Sequence, residues 1–124
     1  MYTHICVYIY VDIDMYIRAC YYEVGGGNME IITFAAIKGG VGKTSIAYNF
    51  ATYLSERDNY VLVIDQDHQC SISQLFDCDK QQHTVKGIYT GEKVEIRNVR
   101  KNIDLITGDY YLDRTEDWVI SQPN

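Results

Sequence analysis

The sequence predicts an α/β domain in which helices flank both faces of a mostly parallel, doubly wound sheet. Three observations carry this. An apolar run, Ile31 to Ile37, passes through a glycine-rich segment into residues with helical spacing. A second run, Tyr60-Val61-Leu62-Val63-Ile64, follows that helix and ends on two aspartates. A third, Asn102 to Gly108, ends on a glycine. Short strands that are apolar and β-branched throughout suit a sheet covered on both faces, and a helix between two of them makes a right-handed βαβ unit.

Residues 1–28 differ from the remainder. Tyr2, Tyr8, Tyr10, Tyr16, Tyr21 and Tyr22 crowd into them. Ile5, Val7, Ile9, Val11 and Ile13 alternate with Cys6, Tyr8, Tyr10, Asp12 and Asp14, which is a strand pattern. There is no basic start, and the two aspartates interrupt the apolar run, so the segment does not read as a signal peptide. The codons of residues 1–11 fit a translated dinucleotide repeat. Those of Glu23 to Asn28 fit a purine-rich ribosome-binding site ahead of Met29. The expected division is therefore an N-terminal extension of upstream origin over 1–28 and a domain over 29–124. The alternative is a genuine strand or hairpin added to a sheet edge.

The segment Lys38-Gly39-Gly40-Val41-Gly42-Lys43-Thr44-Ser45 joins the first strand to a helix expected from Lys43 to about Arg57, with Ile46, Ala47, Phe50, Ala51 and Leu54 as its apolar stripe. Glycines let successive backbone N–H groups turn inward toward an anion, and the positive end of the helix dipole adds to the same point. Lys43 is placed to reach outer phosphates, and the Thr44 hydroxyl suits a magnesium ion. The general pattern G-x-x-x-x-G-K-[ST] asks for glycine at position 37, where this chain has Ile37. A glycine-rich turn with incidental lysines is the plainer alternative.

Asp65-Gln66-Asp67-His68-Gln69 stands at the C-terminal end of the second strand, where open α/β sheets bind ligands. Two carboxylates there suit a magnesium ion, directly or through water, and can orient an attacking water. A solvated acidic turn is the plain reading without the glycine loop. Beyond it, Ser71, Ile72, Leu75 and Phe76 suggest a short helix, and Glu92 to Asn98 an edge strand. Leu112 to Ile120 suggests a helix packing Leu112, Thr115, Trp118 and Val119 on the sheet.

Composition bounds the rest. The 124 residues are 47% hydrophobic and 23% charged, enough for one small domain with a core. A net charge of −6 argues against a broad nucleic-acid face, and Arg97, Arg100 and Lys101 read as a solvated surface. No apolar stretch reaches transmembrane length. Cys6, Cys20, Cys70 and Cys78 show no C-x-x-C spacing and no histidine partner, so they read as free thiols.

The run Gly39-Gly40-Val41-Gly42-Lys43-Thr44, opened by the extra Lys38, resembles the deviant P-loop of the ParA/MinD family of ATPases. Asp65 to Gln69 is similar to that family's D-x-D-P-Q element, with His68 in place of proline, and Gln69 points to the partition (ParA-type) branch. The strand Asn102 to Gly108 also matches, and the likeness covers Met29 to about Leu112. The resemblance implies a truncated P-loop NTPase fold that uses ATP and Mg2+. It assigns catalysis to Lys38, reaching across a homodimer, and to Asp67. It assigns phosphate binding to Gly39, Gly40, Val41, Gly42, Lys43, Thr44 and Ser45, and metal binding to Thr44 and Asp65. Hydrolysis coupled to dimerisation in plasmid or chromosome partition follows by resemblance, with a DNA-binding adaptor protein as partner, a cytoplasmic, nucleoid-associated setting and no membrane. Replacing proline by His68 is expected to loosen the turn. The family's second acidic strand, adenine-contacting segment and C-terminal region do not occur in the 124 residues. On that ground the loop strand is expected to have an open edge and the domain to be marginal. The alternative function is a non-catalytic remnant that binds nucleotide weakly or only interacts with an intact homologue, so enzymatic activity stays open.

Overall fold

Pairing of the apolar runs determines the architecture. The computed structural model describes residues 4–10, 16–24, 27–35, 40 and 42–122. Three strands precede the first helix: β1 (His4–Tyr10), β2 (Tyr16–Val24) and β3 (Gly27–Ala35). Then come α1 (Lys43–Ser55), β4 (Tyr60–Ile64), α2 (Ser71–Leu75), α3 (Lys86–Thr90), β5 (Arg97–Arg100), β6 (Ile103–Ile106) and α4 (Leu112–Ser121). The sheet has six strands in the order β2-β3-β1-β4-β6-β5. Its inner pairings are parallel, and the two edge strands, β2 and β5, run antiparallel to their neighbours.

Strands β3, β4 and β6 each feed two cores, as a period of two requires. Ile32 and Phe34 of β3, Val61 and Val63 of β4, and Ile103 and Leu105 of β6 pack on one face with Ala47 and Ala51 of α1, Ile72 of α2 and Phe76. The two alanines, one turn apart and fully buried, let α1 lie close on the sheet, and Phe50 meets Phe34 edge-on at 5.9 Å. Ile31, Leu62, Ile64 and Ile106 face the other way, onto Val85 and Leu112. Apolar runs without alternation thus belong to strands covered on both faces, as the sequence predicts.

Helix ends follow local chemistry. α1 stops at Ser55, two residues short of the expected Arg57. Asp58 adopts φ 58°, and both the backbone N–H and the side-chain amide of Asn59 donate to the Leu54 carbonyl, closing the last turn.

Four expectations differ from the structure. β3 has no open edge: β1 lies parallel between β3 and β4 and pairs with both. The N-terminal alternation as far as Tyr10 therefore marks an interior strand, and of the first three strands β2 takes an edge; Val11 to Ile13 lie outside the described residues. The edge strand near Glu92 begins later, at Arg97. Residues 92–94 instead lie against α3, where a Cβ on Gly87 would come within 2.7 Å of the Glu92 carbonyl oxygen and of Val94, so only glycine permits the approach. In α4, Leu112 and Thr115 are buried as expected. Trp118 and Val119 stay 47% and 40% exposed because only the helix's first turns reach the sheet.

Candidate functional site

The C-terminal ends of β3, β4 and β6 converge on one end of the sheet, as parallel pairing in this order requires. From β3 the chain passes to Gly40 and Gly42, whose φ angles are +76° and +89°. Both lie in the left-handed region, and nothing stands within 4 Å of where a Cβ would be. Glycine is needed there for its backbone freedom rather than for space. Gly42 is the N-cap of α1 and supplies no side-chain cap to the helix's first N–H groups. Those donors, together with the dipole of a 13-residue helix, suit an anion. Lys43, Thr44 and Ser45 form the first turn. Among the described residues, no hydrogen bond engages the Thr44 or Ser45 hydroxyl. Lys38, Gly39 and Val41 lie outside the described residues.

Lys43 Nζ stands 3.1 Å from Asp67 Oδ2, and both side chains are only 11% exposed. The loop lysine and the acidic motif, 24 residues apart in sequence, therefore meet in one shielded site. Asp67 is itself held by the turn it starts. Its Oδ1 accepts the Gln69 N–H at 2.9 Å, and its carbonyl accepts the Cys70 N–H at 2.9 Å. These two bonds span the segment that carries His68. His68 is exposed, with Nδ1 3.9 Å from Asp67 Oδ1.

Asp65 occupies a different environment. It is fully buried, and its Oδ2 accepts the Ser73 hydroxyl at 2.6 Å and the Ser73 N–H at 3.2 Å, while Oδ1 accepts the Asp67 N–H at 3.1 Å. Burial raises its pKa above the ordinary 3.8, opposed by the Ser73 hydroxyl and the two backbone donors. The Ser73 hydroxyl in turn accepts the Gly108 N–H at 3.0 Å. Gly108 sits close over this group: a Cβ there would fall 2.8 Å from Cys70 Sγ and 2.9 Å from Asp65 Oδ2. Cys70, fully buried with φ 54°, has its thiol pushed up to about 12, chiefly by burial. A second hydroxyl–carboxylate pair, Thr84 Oγ1 to Asp109 Oδ2 at 2.6 Å, lies buried alongside.

The loop, Asp65 and Asp67 are legible in the sequence, whereas Ser73, Thr84 and Asp109 are not, and Gly108 shows there only as a turn. The signal for Ser73 was a hydroxyl eight residues beyond Asp65, at the position a short helix turns back onto the strand end. Nothing in the local pattern marks Asp109.

A glycine loop between β3 and α1, on a mostly parallel sheet with helices on both faces, defines a partial P-loop NTPase fold. A family model described as an AAA domain matches residues 29–123. A candidate replication protein A of Rhizobium rhizogenes is 46% identical over 52 residues, which are 42% of this chain and 13% of that protein. The maintenance of carboxysome distribution protein A of Synechococcus elongatus is 33% identical over 97 residues, 73% of this chain and 38% of that protein. A candidate arsenical pump-driving ATPase of Prosthecochloris vibrioformis is 32% identical over 90 residues, 73% of this chain and 19% of that protein. The chain belongs to the ParA/MinD-type P-loop ATPases, whose nucleotide-binding domain it carries in part. It spans between 13% and 38% of the length of these relatives. No solved structure matches it. Among the described residues, no helix is long and apolar enough to cross a membrane.

Proposed function

We propose that this chain binds ATP with Mg2+ at the end of β3 and is the nucleotide-binding part of a ParA-like ATPase, in which hydrolysis is coupled to dimerisation during plasmid or chromosome partition. The observation that carries the reading is the 3.1 Å approach of Lys43 to Asp67 beside the left-handed Gly40 and Gly42. Backbone N–H groups from Gly39 to Ser45 and the Lys43 ammonium hold the phosphates. Thr44 holds the metal; Asp65, which the resemblance assigns to the metal, is buried with both carboxylate oxygens accepting hydrogen bonds, and it shapes the turn beside the metal instead. Magnesium supplies charge neutralisation on the phosphates when bound. Asp67 orients water, and Lys43 leaves Asp67 for the phosphate when nucleotide enters. Lys38 acts across a homodimer on the partner's nucleotide, stabilising charge on the transferring group as an arginine finger does. A DNA-binding adaptor protein is the expected partner in a cytoplasmic, nucleoid-associated setting.

Two measurements test this: ATP turnover, and sedimentation with and without ATP. The expected result is ATP-dependent dimerisation with slow turnover, with Lys38→Ala costing turnover at least about tenfold while nucleotide affinity changes little. A chain that stays monomeric with ATP, or a Lys38→Ala variant with unchanged turnover, contradicts it. A second reading is nucleotide binding without turnover. Affinity with no turnover in any variant selects it.

A further inference from the structure

Lys43 and Asp67 meet at the mouth of the loop, but what fixes Asp67 lies behind it. Asp67 is reached through Asp65, whose Oδ1 accepts the Asp67 N–H at 3.1 Å. Asp65 has no exposure to solvent, and its other oxygen is held by Ser73 through both hydroxyl and backbone N–H. Ser73 is also fully buried, and its hydroxyl is the acceptor for the Gly108 N–H at 3.0 Å. One small side chain on α2 thereby joins the chain beyond β6 to the end of β4. We propose that Ser73 is a positioning residue: by clamping Asp65 between α2 and Gly108, it sets the turn that points Asp67 at Lys43.

The geometry leaves little alternative support. A buried carboxylate must keep its donors or rearrange. Removing the Ser73 hydroxyl strips Asp65 of its shortest hydrogen bond and leaves the Gly108 N–H without its acceptor. The cheapest relief is for Asp65 to swing away from Ser73. That motion carries the Asp67 N–H with it and opens the Lys43–Asp67 pair. Gly108 lies against the same oxygen that Ser73 holds: a Cβ there would fall 2.9 Å from Asp65 Oδ2 and 2.8 Å from Cys70 Sγ, so the clamp needs glycine at this position.

The direct readout is the reactivity of the Lys43 amine in the full chain, followed by competitive acylation and peptide mass spectrometry without nucleotide. Ser73→Ala should raise the Lys43 labelling rate by about tenfold relative to exposed Lys80 and Lys101, whose rates stay unchanged. Ser73→Thr, which keeps the hydroxyl, should restore protection. In an Asp67→Ala background, Ser73→Ala should add nothing, because the effect passes through Asp67. If Ser73→Ala does not fold, Ser73→Cys, of similar volume with a weak S–H donor, takes its place in the same comparison. Unchanged Lys43 labelling in a folded variant, or an equal increase at every lysine, overturns the positioning role. The functional consequence rests on the nucleotide reading: Ser73→Ala should lower kcat with KM unchanged. A wild-type chain that does not turn over ATP defeats that consequence alone, while the labelling result still decides the role of Ser73.

Discussion

At the scale of single residues, the site separates two carboxylates by environment. Asp67 faces a lysine at the mouth of the loop, whereas Asp65 is sealed among donors from α2 and its own turn. Burial raises Asp65 above its ordinary 3.8, so the folded state takes up this proton before the unfolded chain does. Its ionised form therefore costs stability at neutral pH, and the lost stability returns as pH falls through the raised value, levelling off near 3.8. Asp65→Asn removes that titration. Chemical denaturation of both proteins across mildly acidic to neutral pH should show the wild type gaining on the variant as pH falls. A difference that is constant with pH, or that moves toward the variant on acidification, contradicts this assignment. The positions of Asp65 and Asp67 were legible because they follow an apolar strand. Their different burial was not, since it is created by Ser73 and Gly108 from elements that sequence spacing does not bring together.

At the scale of elements, the strands β3, β4 and β6 and the helices α1 and α4 were legible from runs of apolar residues, with boundaries set by caps and turns. The place of the N-terminal strands was not. Alternation in residues 5–13 announces a strand but says nothing of its neighbours. A parallel partner is chosen by which slot in the sheet lacks hydrogen bonds. Between β3 and β4 such a slot exists, and β1 fills it along the full length of β4 as far as Ile64. This gives residues 1–28 a testable structural weight. A chain beginning at Met29 leaves β3 and β4 unpaired at that slot. Its unfolding in urea should lose the single cooperative transition, and the protein should aggregate during purification. A Met29–Asn124 chain that unfolds cooperatively at the same midpoint as the full chain would show that β1 adds nothing to the domain. The α1 alanines illustrate the opposite case. Ala47 and Ala51 are plain helix formers in sequence, and their spacing alone predicts the face they bury.

At the scale of the whole molecule, every element that carries chemistry delivers it to one end of the sheet. The glycine loop, the acidic turn after β4 and the clamp after β6 meet there, while the two cores hold α1 and α2 on one face and, on the other, α4 and Val85 at the start of α3. The net charge of −6 makes the loop's local cations and N–H groups stand out against an acidic background. On the proposed function, this end of the sheet binds the phosphates of a nucleotide through Lys43. Isothermal titration of the full chain with Mg-ATP tests it most directly, run beside Lys43→Ala with the fold of both checked by circular dichroism. The wild type should bind saturably, and a folded Lys43→Ala variant at least about tenfold more weakly. Absence of binding by a folded wild-type chain, or equal affinity in the two proteins, would contradict it.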